Sequence, residues 1–246
     1  MTVLLSFCFN IAFYINMVLW LLLALPLLAL PSKYLSRTAC LWARSNFWLL
    51  EHIAGIKYEF RCKEEVPKGA LLIASKHQSF WETFAFFVLF EEPLFVLKRE
   101  LIWIPVFGWY LKKIGCIAVD RQAGEKSIRI MVSGARRALS QNRQIVIFPE
   151  GTRTAPGSVP SYKRGVELLY RILKVPCLPV ALNSGIFWPR RRFIRKPGTI
   201  IVEACPLIEP GLKGNEFMKI MQERIEAVMV HLVSKDGDVQ PSESRH

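Results

Sequence analysis

The first 32 residues contain no charged side chain, and residues 3–30 form an almost unbroken apolar run. About 20 helical residues cross the roughly 30 Å hydrocarbon layer of a bilayer, so this run is long enough to be a membrane segment. A secretory signal would need a basic start, a short apolar core and a small-residue cleavage site, which this run lacks. We therefore predict a retained membrane segment. Pro26 and Pro31 leave a kinked, re-entrant or interfacial helix open as alternatives.

Basic residues follow the apolar run directly. Because Lys33, Arg37 and Arg44 come next, the positive-inside rule predicts that the rest of the chain lies on the cytoplasmic side. A net charge of +13 suits nucleic acid or an anionic membrane, and the 52% hydrophobic content favours the membrane. No nucleic-acid-binding module is recognisable in the sequence. We therefore predict anionic membrane lipids as partners, and no nucleic acid.

The six cysteines are scattered along the chain, with no CxxC pair and no zinc-ligand spacing to a histidine. This pattern is typical of reduced, mostly buried thiols, which agrees with a cytoplasmic location. We predict no metal site.

Beyond the N-terminal segment, short apolar runs alternate with longer amphipathic stretches. This alternation predicts an α/β fold with a mostly parallel central sheet flanked by helices and preceded by N-terminal membrane-associated helices. Ligands of such sheets bind beyond the carboxyl ends of the strands. The predicted strands are 58–62, 70–75, 94–98, 116–120, 144–150, 177–183 and 199–205, and the predicted helices are 38–55, 81–91, 100–113, 125–141, 164–173 and 213–234.

The same pattern divides the chain into three predicted segments. Residues 1–55 are predicted to be membrane-anchoring helices, residues 56–235 an α/β domain, and residues 236–246 a polar tail. The length of 246 residues is enough for one full-sized hydrophobic core.

The stretch SKHQSFWETFAFF, residues 75–87, places His77 at the end of a predicted strand and Glu82 in the first turn of a predicted helix. This spacing allows the carboxylate to orient the imidazole and to stabilise its protonated form, with the second ring nitrogen acting as a general base. A structural histidine beside a helix-capping acid is the alternative. Ser79 suggests a hydrolase nucleophile, but the sequence has no GxSxG motif.

A second polar cluster ends the apolar strand in QIVIFPEGTRT, residues 144–154. Gly151 permits an unusual backbone turn and close approach of a ligand. Arg153 offers a planar fork suited to phosphate, and Thr152 offers a hydroxyl donor beside Glu150. An ordinary strand-to-loop turn with a solvated arginine is the alternative.

Further basic residues could bind anions. Lys98 and Arg121 each follow a predicted strand, although either could be a solvated surface charge. Residues 163–165 open a predicted helix, whose N-terminus attracts anions. The aromatic and basic stretch at 187–198 suits anionic membrane headgroups.

Taken together, these motifs resemble the lysophosphatidate acyltransferase family, the 1-acylglycerol-3-phosphate O-acyltransferases of the PlsC type. Four blocks occur in the family's order between about residues 70 and 185, and the N-terminal helices also fit. The blocks are His77 to Glu82, which resembles the catalytic HxxxxD block, KREL through Arg121, FPEGTR at 148–153, and VPCLPVALNSG at 175–185.

The resemblance implies that His77 takes the proton from the 2-hydroxyl of lysophosphatidate, which attacks the thioester of acyl-CoA or of acyl-acyl carrier protein. Glu82 would orient His77, although the family's block usually ends in the shorter aspartate. No cofactor is expected beyond the thioester co-substrate. By position, Arg153 and Lys98 would hold the substrate phosphate, Arg121 being a further candidate. Glu150 and Gly151 would shape the pocket that also includes Thr152.

Other readings differ in the acceptor or in the class of protein. Within the enzyme class, the acceptor could be glycerol-3-phosphate, another lysophospholipid or a lyso-ornithine lipid. In a different class, the chain could be a non-catalytic membrane-binding protein with the same fold.

Overall fold

The computed structural model describes residues 1–63, 65–120, 122–159 and 161–237. Two helices, α1 (Thr2–Leu23) and α2 (Ser32–Ala54), open the chain and are joined by a short 3-10 helix (Leu25–Ala29). α1 ends before Pro26, because proline lacks the N–H that would continue the helix and its ring collides with the preceding turn. The apolar run is therefore bent rather than one straight helix.

α1 packs on the rest of the chain along one face. Ser6, Phe9 and Phe13 are buried, and both phenylalanine rings meet Trp188 edge-on at centroid distances of 5.3 and 5.4 Å. The other faces expose large apolar side chains, among them Ile11. Among the helices in the described part of the chain, α1 is the one that is long and apolar enough to cross a membrane. This exposed apolar surface indicates that the protein associates with a membrane.

All seven predicted strands are present in the described part of the chain. Most are rich in branched apolar residues, which suit a pleated and buried surface, whereas the first strand, IKYEFRC, has one such residue, Ile56. The strands are β1 (Ile56–Cys62), β2 (Leu71–Ser75), β3 (Leu94–Lys98), β4 (Ile117–Val119), β5 (Gln144–Ile147), β6 (Cys177–Leu182) and β7 (Gly198–Ala204).

These strands form one sheet in the order β1-β7-β6-β2-β5-β3-β4. Neighbouring strands pair in parallel, except that β6 and β7 are antiparallel. The predicted α/β fold with a mostly parallel sheet is therefore confirmed. β2 lies between β5 and β6, and all five of its residues are buried.

Helices cover both faces of the sheet. Leu71 and Ile73 of β2 point into a core that also contains residues of α1 and α2, whereas Leu72 and Ala74 point into a second core on the opposite face. The later helices are α3 (Trp81–Leu89), α4 (Phe107–Ile114), α5 (Gly124–Ser140), α6 (Gly165–Leu173), α7 (Ser184–Phe187) and α8 (Gly214–Gly237).

The prediction of one helix at 100–113 is wrong. The segment forms a 3-10 helix (Arg99–Trp103) and then α4, with a break between them. Pro105 disfavours helical backbone at the residue before it, and Val106 has a φ of 64°. Gly108 allows the two pieces to pack closely, since a Cβ there would lie 2.2 Å from the carbonyl oxygen of Ile102.

Two further predictions need correction. α8 continues to Gly237 rather than ending at 234, and residues 238–246 of the predicted tail lie outside the described residues. In the basic and aromatic stretch, Phe187 and Trp188 are 5% and 6% exposed, so these two rings belong to the core and not to a membrane-facing surface. α1 covers Trp188 through tertiary packing, which a local pattern does not reveal.

Candidate active site

The carboxyl ends of β2 and β5 lie side by side, because the two strands pair in parallel with Ala74 opposite Ile147. The loops that follow them therefore meet at one edge of the sheet. The backbone N–H of Thr154 donates to the carbonyl of His77 at 2.8 Å and fastens one loop to the other. The structure thus brings together the two motifs in which the chemistry was predicted.

His77 and Glu82 form a hydrogen-bonded pair. His77 Nδ1 lies 2.9 Å from Glu82 Oε1, with the carboxylate fully buried and the imidazole side chain 16% exposed. The His77 ring stacks on Phe148 with centroids 4.0 Å apart, which fixes the plane of the imidazole. Because an ionised carboxylate only accepts hydrogen bonds, Nδ1 donates and the neutral ring has its lone pair on Nε2. Within the described part of the chain, Nε2 makes no hydrogen bond.

Glu82 is held by three donors besides the imidazole. The backbone N–H groups of Gln78 and Ser79 both donate to Oε1 at 2.7 Å, and Ser184 Oγ donates to Oε2 at 2.8 Å. Glu82 stands in the first turn of α3, where a negative charge also interacts favourably with the helix dipole. Both carboxylate oxygens are therefore fixed, and the side chain has one defined position behind His77.

Ser184 was not predicted from the sequence as a site residue. It follows β6, which is the other neighbour of β2, and it is completely buried. The rule that polar side chains beyond strand ends gather at one edge could have identified it. Its hydroxyl donates to Oε2 of Glu82, whereas His77 contacts the other carboxylate oxygen, Oε1.

Glu150 is the second buried carboxylate of this edge. Its Oε1 lies 2.5 Å from Lys76 Nζ and accepts from Thr154 Oγ1 at 2.9 Å, while its Oε2 accepts from the backbone N–H of His77 at 2.9 Å. Both charged side chains of the ion pair are almost inaccessible, at 4% for Lys76 and 0% for Glu150. Glu150 is therefore buried beneath the two loops, and its contacts connect the residues that follow β2 to the FPEGTR loop.

Lys76 extends this network to the far side of the sheet. Its ammonium also lies 3.2 Å from Glu226 of α8, and the Tyr162 hydroxyl donates to the same carboxylate oxygen at 2.6 Å. Burial raises the pKa of Tyr162, so its hydroxyl remains a donor at neutral pH. Lys76 is a further residue that sequence reasoning did not assign to the site.

Gly151 makes the tight turn that the sequence predicts. Its φ is 68°, in the left-handed region that favours glycine, and its N–H donates to the carbonyl of Phe148 at 2.9 Å. Thr152, next along the chain, accepts a hydrogen bond from Arg190 Nη1 at 3.3 Å. Thr152 is exposed and Arg153 is half-buried, whereas Glu150, on the other side of the turn, is buried.

Arg153 is half-buried near the His77–Glu82 pair. Burial holds the pKa of its guanidinium below the usual value; the charge of Glu82 opposes this shift, and the charges of Arg190 and Arg191 add to it. The guanidinium is therefore close enough to interact with Glu82 and with two other arginines. A cluster of guanidinium groups is suitable for recognition of a phosphate.

The two remaining predicted residues are more distant or not described. Lys98 ends β3, which is separated from β2 by β5, so a strand spacing of about 4.8 Å puts the two backbones about 10 Å apart. Its exposed ammonium lies 2.9 Å from Glu100. Arg121 lies outside the described residues.

A mostly parallel sheet with a histidine–carboxylate pair and an FPEGTR loop at its carboxyl edge defines an enzyme of the acyltransferase class. Residues 57–183 match the family model described as "Acyltransferase". The chain belongs to this acyltransferase family, and the predicted resemblance is confirmed.

Similar proteins refine this assignment. The chain is 35% identical over 199 residues to the 1-acyl-sn-glycerol-3-phosphate acyltransferase of Pseudomonas aeruginosa, a match covering 81% of this chain and 77% of that protein. It is 30% identical over 240 residues to the alpha enzyme of that name from Ovis aries, covering 94% and 83%. The crystal structure of the 1-acyl-sn-glycerophosphate acyltransferase PlsC from Thermotoga maritima has the same fold, with a TM-score of 0.78, 19% identity and coverage of 94% and 99%.

Proposed function

We propose that this protein transfers a fatty acyl chain from an acyl thioester to the 2-hydroxyl of 1-acyl-glycerol-3-phosphate and so produces phosphatidate. The observation that carries this proposal is the His77–Glu82 hydrogen bond beside the half-buried Arg153. A base oriented by a carboxylate and a nearby phosphate-binding group are what an acceptor with one hydroxyl and one phosphate requires. Relatives named 1-acyl-sn-glycerol-3-phosphate acyltransferase support the choice of acceptor.

The proposed reaction proceeds in one transfer. His77 Nε2 takes the proton of the 2-hydroxyl while the oxygen attacks the thioester carbonyl, and Glu82 stabilises the imidazolium through Nδ1. The carbon–sulfur bond then breaks, and the imidazolium returns its proton to the leaving thiolate. Phosphatidate and free thiol are the products. The reaction needs no cofactor and no acyl-enzyme, and the donor is acyl-CoA or acyl-acyl carrier protein.

Arg153 is proposed to bind the acceptor phosphate, with Lys98 contributing from β3. The guanidinium of Arg153 interacts electrostatically with Glu82, which is bonded to His77, so a phosphate bound there lies close to the catalytic base. Binding the phosphate would orient the glycerol hydroxyl against Nε2, and orientation of this kind lowers the barrier without any further chemical group.

We also propose that the active site faces the cytoplasmic leaflet. The basic residues Lys33, Arg37 and Arg44 follow the apolar run, and the exposed faces of α1 suit lipid. Anionic lipids are the proposed membrane partners because the chain has a net charge of +13.

An assay with purified full-length protein in lipid vesicles tests the function. Labelled acyl-CoA and labelled acyl-acyl carrier protein are each offered with lysophosphatidate, glycerol-3-phosphate or lysophosphatidylcholine. We expect labelled phosphatidate from lysophosphatidate, and we expect His77→Ala to reduce the rate by about 10³-fold, in the range for loss of a general base. An unchanged rate in His77→Ala would contradict the proposed mechanism, and preference for another acceptor would contradict the proposed substrate.

A further inference from the structure

A basic loop adjoins the active site. It comprises residues 189–196, follows α7, and contains three exposed arginines, Arg190, Arg191 and Arg192. The loop contacts two separate parts of the molecule: the FPEGTR loop on one side and the N-terminal half of α1 on the other. The sequence suggested that these charges face membrane headgroups, but their contacts lead to a more specific role.

Arg190 is fastened to the FPEGTR loop. Its Nη1 donates to the backbone carbonyl of Arg153 at 2.9 Å and to Thr152 Oγ1 at 3.3 Å. The positive charges of Arg190 and Arg191 both lower the pKa of Arg153, so each of these two guanidinium groups is close enough to repel that of Arg153. No salt bridge among the described residues neutralises any of the three. Three like charges, with the single carboxylate of Glu82 acting on Arg153, leave an excess of positive charge that favours binding of an anion.

The loop has a defined conformation before any ligand binds. Arg195 is 8% exposed, and its Nη1 donates to two loop carbonyls at 2.7 and 3.1 Å while its Nη2 donates to Asn10 Oδ1 of α1 at 2.9 Å. Its guanidinium lies over the Trp188 ring, 4.6 Å from the centroid, and Ser6 Oγ accepts from its backbone N–H at 2.9 Å. The buried Arg195 therefore stabilises the loop conformation and links the loop to α1.

The backbone of Arg191 has an uncommon conformation that these contacts stabilise. Its φ of 56° is uncommon for a residue other than glycine, and it persists because the surrounding contacts hold the turn. A site that is already ordered loses little conformational entropy on binding. The loop at residues 189–196 is thus preorganised to bind an anion beside the proposed active site.

We propose that Arg190 and Arg191, together with Arg153, bind a phosphate ester of a reaction substrate. The planar guanidinium matches two phosphate oxygens at once, which a lysine cannot do. The inference rests on the proposed acyl transfer, which supplies two sources of this group: the phosphomonoester of lysophosphatidate and the phosphates of a coenzyme A-type donor.

Charge-removing variants test the site. Arg190→Gln and Arg191→Gln are compared with Arg192→Gln as a matched control. Arg192→Gln also removes one positive charge from the loop, but Arg192 is not among the residues whose charge affects the pKa of Arg153. Initial rates are measured with lysophosphatidate varied at saturating acyl-CoA, and then with acyl-CoA varied at saturating lysophosphatidate. If Arg190→Gln does not fold, Arg190→Lys keeps the charge and removes the fork.

We expect the KM of one substrate to rise about tenfold in Arg190→Gln and in Arg191→Gln, the loss of one charge-assisted hydrogen bond, with kcat little changed. The substrate whose KM rises identifies the source of the phosphate. Arg192→Gln should resemble the wild type. Equal KM values in the three variants for both substrates would overturn the proposal and leave the loop as a general membrane contact.

Equilibrium binding separates this proposal from the proposed function. Binding of lysophosphatidate in neutral detergent and of coenzyme A is measured without turnover. If the wild type does not transfer acyl groups but Arg190→Gln and Arg191→Gln bind one compound about tenfold more weakly than Arg192→Gln does, the function fails and the phosphate site stands. If the wild type is active and the three variants bind equally, the site fails and the function stands.

Discussion

The active-site edge contains two buried glutamates that differ in the kind of partner each has. Glu150 lies 2.5 Å from the ammonium of Lys76, a permanent cation, and its other partners are a hydroxyl and a backbone N–H. Within the described ranges of the chain, Glu82 accepts four hydrogen bonds, and none of them comes from a lysine or arginine. Among the partners that the described residues provide to Glu82, His77 is the one that can gain a positive charge.

In the proposed mechanism, this difference separates a structural carboxylate, Glu150, from a catalytic one, Glu82. The charge of Glu150 is neutralised in the resting protein, and so the ion pair contributes mainly to holding the two loops together. Glu82 gains a hydrogen-bonded cation when His77 takes up a proton. In the proposed mechanism, this protonation is the event that activates the acceptor hydroxyl. The two glutamates should therefore respond differently to the same substitution.

The largest effect on turnover is expected from Glu82→Gln. The amide has nearly the same shape but removes the charge that stabilises the imidazolium, so kcat should fall by about 10²- to 10⁴-fold. Thermal unfolding should occur close to the wild-type temperature, since the buried site still has hydrogen-bonding groups. A variant with near-normal kcat would remove Glu82 from the catalytic pair.

Glu150→Gln should instead reduce stability. Loss of one partner of a buried ion pair costs about 3 kcal/mol, and for a chain of this size that lowers Tm by about 6–12 °C. Measured well below Tm, kcat should fall much less than in Glu82→Gln. Glu59→Gln is the control, because it breaks the exposed pair with Arg61 and should leave Tm nearly unchanged. Equal melting temperatures for the two variants would contradict a structural role of Glu150.

Ser184→Ala tests how Glu82 is positioned. The substitution removes the donor to Glu82 Oε2, and loss of a hydrogen bond to a charged group should lower kcat about tenfold, with KM little changed. In the Glu82→Gln background, Ser184→Ala should cause little further loss. An equal tenfold loss in both backgrounds would show that Ser184 acts independently of Glu82.

Thr154→Val should have the smallest effect, and on stability alone. It removes the hydroxyl that donates to Glu150 Oε1, at a cost of about 1 kcal/mol, and hence lowers Tm by about 2–4 °C. Ser158→Ala removes an exposed hydroxyl from the same loop region and serves as the control. A large loss of kcat in Thr154→Val would place Glu150 in the catalytic machinery.

Much of the fold could be predicted from local pattern. Strands such as β2 and β5 are short, apolar and bounded by polar turns, so their existence follows from composition alone. The break before α4 could not be predicted as reliably, because it depends on the contact of Gly108 with Ile102 as well as on Pro105. The burial of Trp188 was missed because α1, more than 160 positions away in the chain, supplies its covering rings.

The site shows the same division. His77 and Glu82 are five positions apart, so their pairing could be predicted from a strand end followed by a helix start. Ser184 reaches Glu82, and Lys76 reaches Glu150, through the order of the strands, and α8 adds Glu226 beside Lys76. No local spacing encodes these contacts. Roles that arise from neighbouring strands are therefore the part that the structure adds.

The most direct test of the central claim, that Glu82 acts through His77, is the kcat of the double variant His77→Ala/Glu82→Gln. If the carboxylate works only by orienting and stabilising this imidazole, the double variant should be as active as His77→Ala alone, within about twofold, since residues that act as a unit are not additive. A further loss in the double variant as large as that of Glu82→Gln in the wild type would contradict the claim.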